Sequence, residues 1–229
     1  MSEISVLVIA AHPDDEILGC GGTIARHIKN GAMVSVLIMA DGITSREKSS
    51  TELLAKEIGE RQECANLANR ILGVNDLTLL SYPDNRMDRA VLLDVVKDVE
   101  KKLDQLKPSI VYTHHAGDVN IDHYIVHEAA IVACRPQPDH CVRELLFFET
   151  PSSTEWRPAA SRSSFEPNWF IDISETLDLK LKALQAYDSE LRQFPHPRSL
   201  SAVEHLARWR GASVGLEAAE AFELGRCIL

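Results

Sequence analysis

The stretch "ISVLVIA" (4–10) is apolar at every position but Ser5. Side chains of a strand alternate between faces, so a strand apolar on both sides must be covered on both sides, as in the middle of a parallel sheet. Comparable runs return as "MVSVLIMA" (33–40), "LTLLSY" (77–82), "SIVYTHH" (109–115) and "RELLFFE" (143–149). Between them lie segments with the 3.6-residue apolar period of helices. These are 16–31 closed by Gly31, 51–74 ending at Gly73, 89–107 stopped by Pro108, and 122–135 ended before Pro136. Strand and helix in alternation predict an α/β fold, a Rossmann-like open and mainly parallel sheet with helices on both faces and a core order of about 3-2-1-4-5. Residues 150–167 are rich in Ser, Pro and Arg and read as an irregular flap. A helix over 172–192 with Ser174 as its N-cap and an Ala-rich helical close over 202–224 complete a single expected domain, 1–229.

Charge and apolar run length narrow the partners. The chain carries 24 basic against 34 acidic residues and has no Lys/Arg block, which argues against nucleic acid. No apolar run approaches the roughly 18 residues of a spanning helix, and none resembles a leader, so a cytoplasmic location without a transmembrane segment is expected. Five scattered cysteines without CxxC spacing offer neither a disulfide framework nor a thiolate zinc site. Homo-oligomer formation is compatible with all of this.

In such a sheet, side chains just past the carboxyl ends of the strands share one rim, and ligands bind where the strand order reverses. Most of the unusual polar residues fall there: His12, Asp14, Asp15 and Glu16 after the first strand, Asp41 after the second, Asp84 and Arg86 after the third, and His114, His115, Asp118, Asp122 and His123 after the fourth. With strands one and four adjacent, the "HPDD" loop faces the "GDVNIDH" segment. Adjacent carboxylates repel one another and call for a counter-charge. Imidazole together with carboxylate suits zinc or another first-row divalent metal, and a catalytic zinc keeps three protein ligands and one open position. His12, Asp15 and His123 could supply the three. Asp14, beside a ligand, could take a proton from metal-bound water, whose pKa the cation lowers.

These residues closely resemble the PIG-L/LmbE-like family of metal-dependent N-deacetylases. The likeness runs through "AHPDDE" (11–16), "ADG" (40–42), the step from Arg61 to Glu63, "PDNR" (83–86) and "GDVNIDH" (117–123), and continues more weakly into "PHPRS" and "AEAF". It implies zinc held by His12, Asp15 and His123, Asp14 as general base, and Arg61 and Asp84 hydrogen-bonding sugar hydroxyls. The implied substrate is an N-acetylglucosamine-type amino sugar or its conjugate. Where family members often carry a histidine, three residues before the second histidine ligand, this chain has Asn120, which can donate a hydrogen bond but cannot carry a proton or a charge. Either Asn120 takes a reduced catalytic role or His196 or His115 fills in. Asp122 is expected to orient a neighbouring ring, and His127 to pack or to support a ligand.

Two other functions compete. Two histidines and a carboxylate also make the facial triad of non-haem iron oxygenases, and a non-catalytic sugar- or nucleotide-binding module could share the fold. "GCGG" (19–22) lacks phosphate-loop spacing and is read as close helix-to-sheet packing. Substrate choice is expected to reside in the 150–167 flap and the 43–52 loop.

Overall fold

The computed structural model describes residues 4–45, 50–138, 141–158 and 163–229. Residues 46–49 and 159–162, which belong to the two expected specificity loops, lie outside the described residues. The first five strands are β1 (Ser5–Ala10), β2 (Met33–Ala40), β3 (Asp76–Tyr82), β4 (Ile110–His114) and β5 (Glu144–Phe148). They form a parallel block in the order β3-β2-β1-β4-β5, the expected core. Alternation along β1 sends Val6, Val8 and Ala10 into one core layer and Leu7, Ile9 and Ala11 into the other. The first layer lies beneath α1 (Asp15–Lys29), α2 (Thr51–Leu72), α5 (Leu177–Leu184) and α6 (Leu200–Ala212). The second lies beneath α3 (Leu92–Leu106) and α4 (Ile121–Ala133).

Local signals set both ends of α2. Ser50 Oγ accepts the Leu53 N–H at 3.2 Å at the start of α2, and Gly73 ends that helix at φ 93°, a left-handed conformation open to glycine at little cost. α5 is shorter than the expected 172–192: Thr176 rather than Ser174 precedes it, and the Ser174 hydroxyl accepts the Ala218 N–H at 3.3 Å and donates to Asp172 Oδ1 at 2.6 Å instead of capping a helix. A 3-10 turn then covers Gln185–Glu190.

The C-terminal reading needs a correction. Helix α6 stops at Ala212, and the expected helix continuation is a strand, β7 (Ala219–Cys227), antiparallel to β5. A further strand, β6 (Trp169–Asp172), pairs antiparallel with β7, so the full order is β3-β2-β1-β4-β5-β7-β6. Alanine and glutamate favour a helix only weakly, and the unpaired edge of β5 supplies hydrogen-bond partners that outweigh that preference.

The "GCGG" run packs as expected. A Cβ on Gly19 would stand 2.3 Å from the Phe148 ring of β5, and one on Gly22 would stand 2.8 Å from Ile173. Helix α1 breaks at Cys20 (φ −146°). The broken ends are capped from within: Glu220 of β7 accepts the Gly22 and Thr23 N–H groups at 3.0 and 2.7 Å, and Lys180 of α5 donates to Leu18 O at 2.8 Å and to Glu220 at 2.6 Å. A buried carboxylate on freed amides and an ammonium on a freed carbonyl satisfy the groups that the break exposes.

Candidate active site

Every strand of the parallel block delivers its carboxyl end to one rim, and the order reverses between β1 and β4. His12 leaves β1 two residues past Ala10, and Asp15 opens α1. His123 sits in the first turn of α4, behind the loop that leaves β4. The three side chains meet. His12 Nδ1 and His123 Nε2 each lie 3.1 Å from Asp15 Oδ2 and 3.3 Å from each other. Ligands on a tetrahedral ion with bonds near 2.0 Å stand about 3.3 Å apart, so this triangle matches one face of such a polyhedron. Asp15 Oδ1, fully buried, has no hydrogen-bond partner among the described residues. An orphaned carboxylate oxygen beside two convergent imidazole nitrogens is a donor set that fits a divalent cation.

The outer nitrogens of both rings face further acids, His12 through a hydrogen bond and His123 through an ion contact. His12 Nε2 faces Asp122 Oδ2 at 3.0 Å and Asp84 Oδ1 at 3.2 Å, and His123 Nδ1 faces Asp118 Oδ2 at 3.0 Å. A carboxylate on the far nitrogen places the lone pair on the near one, the arrangement that makes histidine a metal ligand. These acids are tied down in turn. Asp122 accepts the Asn85 and Met87 N–H groups at 2.6 and 2.9 Å, while Asp118 accepts the Asn120 N–H at 2.8 Å and the Thr154 hydroxyl at 2.8 Å. Burial alone would depress both imidazoles. The carboxylates outweigh it: Asp122, Asp15 and Asp84 hold His12 well above its usual range, and Asp15 and Asp118 raise His123 to about 9. The cluster therefore draws positive charge, as protons or as a metal.

Asp14 stands apart from the triangle. It lines a cavity of about 170 Å³ together with His12, Arg61, Asp84, Asn120 and Arg198. Its backbone takes φ 120°, uncommon for a residue with a side chain. Its N–H donates to Glu16 Oε2 at 3.0 Å, and Glu16 Oε1 accepts from Asn69 at 2.9 Å and from Tyr187 at 2.7 Å. Burial raises Asp14 to about 6 against the pull of Arg198, and burial raises Glu16 to about 7.

The remaining sequence candidates divide. Arg61, which pattern alone would leave on a helix surface, is buried and paired with Glu190 at the cavity wall. Asp84 is on the same wall, bonded to Ser45. Asn120 caps α4, its Oδ1 accepting the Asp122 N–H at 2.8 Å and its amide donating to Asn85 at 3.1 Å. His115 turns away to Glu223 at 2.6 Å, and His127 binds His114 O at 2.8 Å. The His196 ring stacks edge-on to Trp156 and accepts the Arg198 N–H at 3.0 Å. The side chain that reaches the cavity from "PHPRS" is Arg198, whose Nη1 lies 3.0 Å from Asp14 Oδ2. Sequence reasoning singled out neither Arg198 nor Glu190. His114 is also closer to the centre than its position suggests: buried and held well below its usual range by burial, it accepts the Ala11 N–H and stacks on His123 at 3.9 Å.

A family model described as PIG-L, GlcNAc-PI de-N-acetylase, matches residues 7–134, more than half of the chain. The chain belongs to the PIG-L family. The uncharacterized deacetylase YaiS of Escherichia coli K12 is 33% identical over 190 residues, 80% of this chain and 90% of that protein. The diacetylchitobiose deacetylase of Thermococcus kodakarensis is 28% identical over 83% of this chain and 70% of its own length. The crystal structure of GalB, a 4-carboxy-2-hydroxymuconate hydratase of Pseudomonas putida KT2440, superposes with a TM-score of 0.78 over 99% of this chain and 98% of that one, at 23% identity. The expected PIG-L membership is met, and with it the enzyme class, an N-deacetylase hydrolase. Among the described residues no helix is long and apolar enough to cross a membrane.

Proposed function

We propose that this PIG-L protein removes the acetyl group from an N-acetylglucosamine-type amino sugar or its conjugate. In this reading His12, Asp15 and His123 hold zinc, and Asp14 is the general base. The observation that carries it is the triangle of donor atoms at 3.1, 3.1 and 3.3 Å with a separate carboxylate, Asp14, on the adjoining cavity. A divalent ion bound there would polarise the acetamide carbonyl and acidify water.

The protein's own groups do the rest. Asp14 accepts a proton from the attacking water and returns it to the leaving nitrogen, giving the free amine and acetate. A carboxylate raised toward 6 by burial can serve both steps near neutrality, and a cation beside it would keep it ionised until the proton of the attacking water reaches it. Asp122 holds the His12 ring, Asp118 sets a negative charge 3.0 Å from His123 Nδ1, and the Asn120 amide keeps one N–H not used on Asn85 for a substrate oxygen. Arg61 and Asp84 would hydrogen-bond sugar hydroxyls across the cavity. The fold is shared with a hydratase, so the fold does not choose the reaction; Asp14 beside the donor set favours hydrolysis over dioxygen chemistry with iron. Acetate release from a panel of N-acetylated sugars by zinc-loaded protein, with an EDTA-treated control, tests the reading. Asp14→Asn should keep its metal and lose about 10²- to 10⁴-fold in turnover. Near wild-type turnover in that variant would remove Asp14 as the base.

A further inference from the structure

Arg198 ties together three stretches of chain that are distant in sequence. Its Nη1 donates to Asp14 Oδ2 at 3.0 Å, its Nε donates to Ser152 Oγ at 2.6 Å, and Glu190 Oε2 lies 3.8 Å from the same Nη1. The backbone of Arg198 is pinned in turn by His196. A planar guanidinium can hold several partners at fixed angles, which a lysine ammonium cannot do. Two of the residues it grips have backbones in the positive-φ region, Asp14 at 120° and Ser152 at 70°. Such conformations persist where the surroundings over-determine them. Glu16 holds the Asp14 amide, and Arg198 holds the Asp14 carboxylate. Asp14 Oδ1, by contrast, accepts no hydrogen bond among the described residues, and Asp14 lines the cavity.

We propose that Arg198 is a positioning residue for the base. It occupies Oδ2 and fixes the rotation of the carboxylate, so that Oδ1 is presented to the cavity. It also puts a permanent positive charge into the cavity that Asn120 lines with a neutral amide. This inference rests on the reading of Asp14 as the base. It concerns a residue outside the 7–134 stretch that the family model matches.

The test is steady-state acetate release by metal-loaded wild type, Arg198→Met, Arg198→Lys and Asp14→Asn. The probe is N-acetylglucosamine or whichever N-acetylated conjugate the wild type turns over fastest. Misorienting a reacting group by about 1 Å costs about 10²-fold, so Arg198→Met should lose roughly 10- to 100-fold in kcat while KM moves less than about threefold and metal content is unchanged. Arg198→Lys, which keeps the charge without the fork, should fall between Arg198→Met and wild type. If Arg198→Met does not fold, the same kcat-against-KM split is read on Arg198→Lys. The proposal is overturned if kcat stays within about threefold of wild type, or if the loss falls on KM, which would make Arg198 a substrate contact. Failure of the underlying reading looks different: an active Asp14→Asn, or a wild type that releases no acetate from any sugar.

Discussion

Asp122 touches no donor atom of the triangle directly, yet it should govern how tightly the metal is held. Its Oδ2 faces His12 Nε2 at 3.0 Å and accepts the Asn85 N–H at 2.6 Å, while Oδ1 accepts the Met87 N–H at 2.9 Å. Replacing it with Asn keeps the shape and one acceptor but removes the charge that sets the tautomer of His12. Loss of such a partner lowers metal affinity about 10- to 100-fold, or about 1.4–2.8 kcal/mol. Replacing it with Ala also strands two backbone N–H groups at about 1–3 kcal/mol each. A total near 4 kcal/mol corresponds to a melting point about 8–16 °C lower for a chain of this size. Competition with a chromophoric chelator measures the affinity, and thermal unfolding of the metal-free protein measures the stability separately. A folded Asp122→Asn protein that binds zinc as tightly as wild type would refute the argument that the outer carboxylate sets the ligand.

Two further outcomes are expected. In the metal-free protein His123 is raised from 6.5 to about 9, so the stability it contributes is complete below pH 6.5 and is lost as pH rises toward 9; melting of the apo form should fall across that window while the metal-loaded form changes less, and equal pH profiles would show that proton and metal do not compete for the site. Gly19→Ala forces a methyl to 2.3 Å from Phe148, whose ring packs on His114 at 4.6 Å, so it should cost about 1–3 kcal/mol and lower the melting point, with a neutral substitution ruling out the close approach of α1 to β5.

The parts of the site that were legible in sequence are those encoded within a few residues of a strand end. "HPDD" and "NIDH" each place their polar residues at one strand-to-helix junction, and an open parallel sheet brings such junctions to one rim. Asp122 could be assigned to a neighbouring ring because it adjoins a donor in sequence. Arg198 could not, because it lies 184 residues from Asp14 along the chain, so no spacing links the two. The signal was in "PHPRS", where the arginine rather than the histidine carries the charge that the cavity uses. Arg61 was legible only through family likeness, since its α2 position looks solvent-facing until the Gln185–Glu190 turn covers it.

The sequence by itself determined the five-stranded parallel core, the helices that flank it and the two motifs that meet at the switch point, because period, capping and apolar run length act over short range. Tertiary structure alone decided that residues 219–227 are a strand rather than a helix and that Glu220 caps a broken α1. It alone decided that Glu16 holds the Asp14 amide while Arg198 holds its carboxylate. The physical reason is the same in each case: the local preferences of Ala, Glu and Arg differ by less than the energy of one satisfied buried hydrogen bond or ion contact, so the partner that folding brings near decides the outcome.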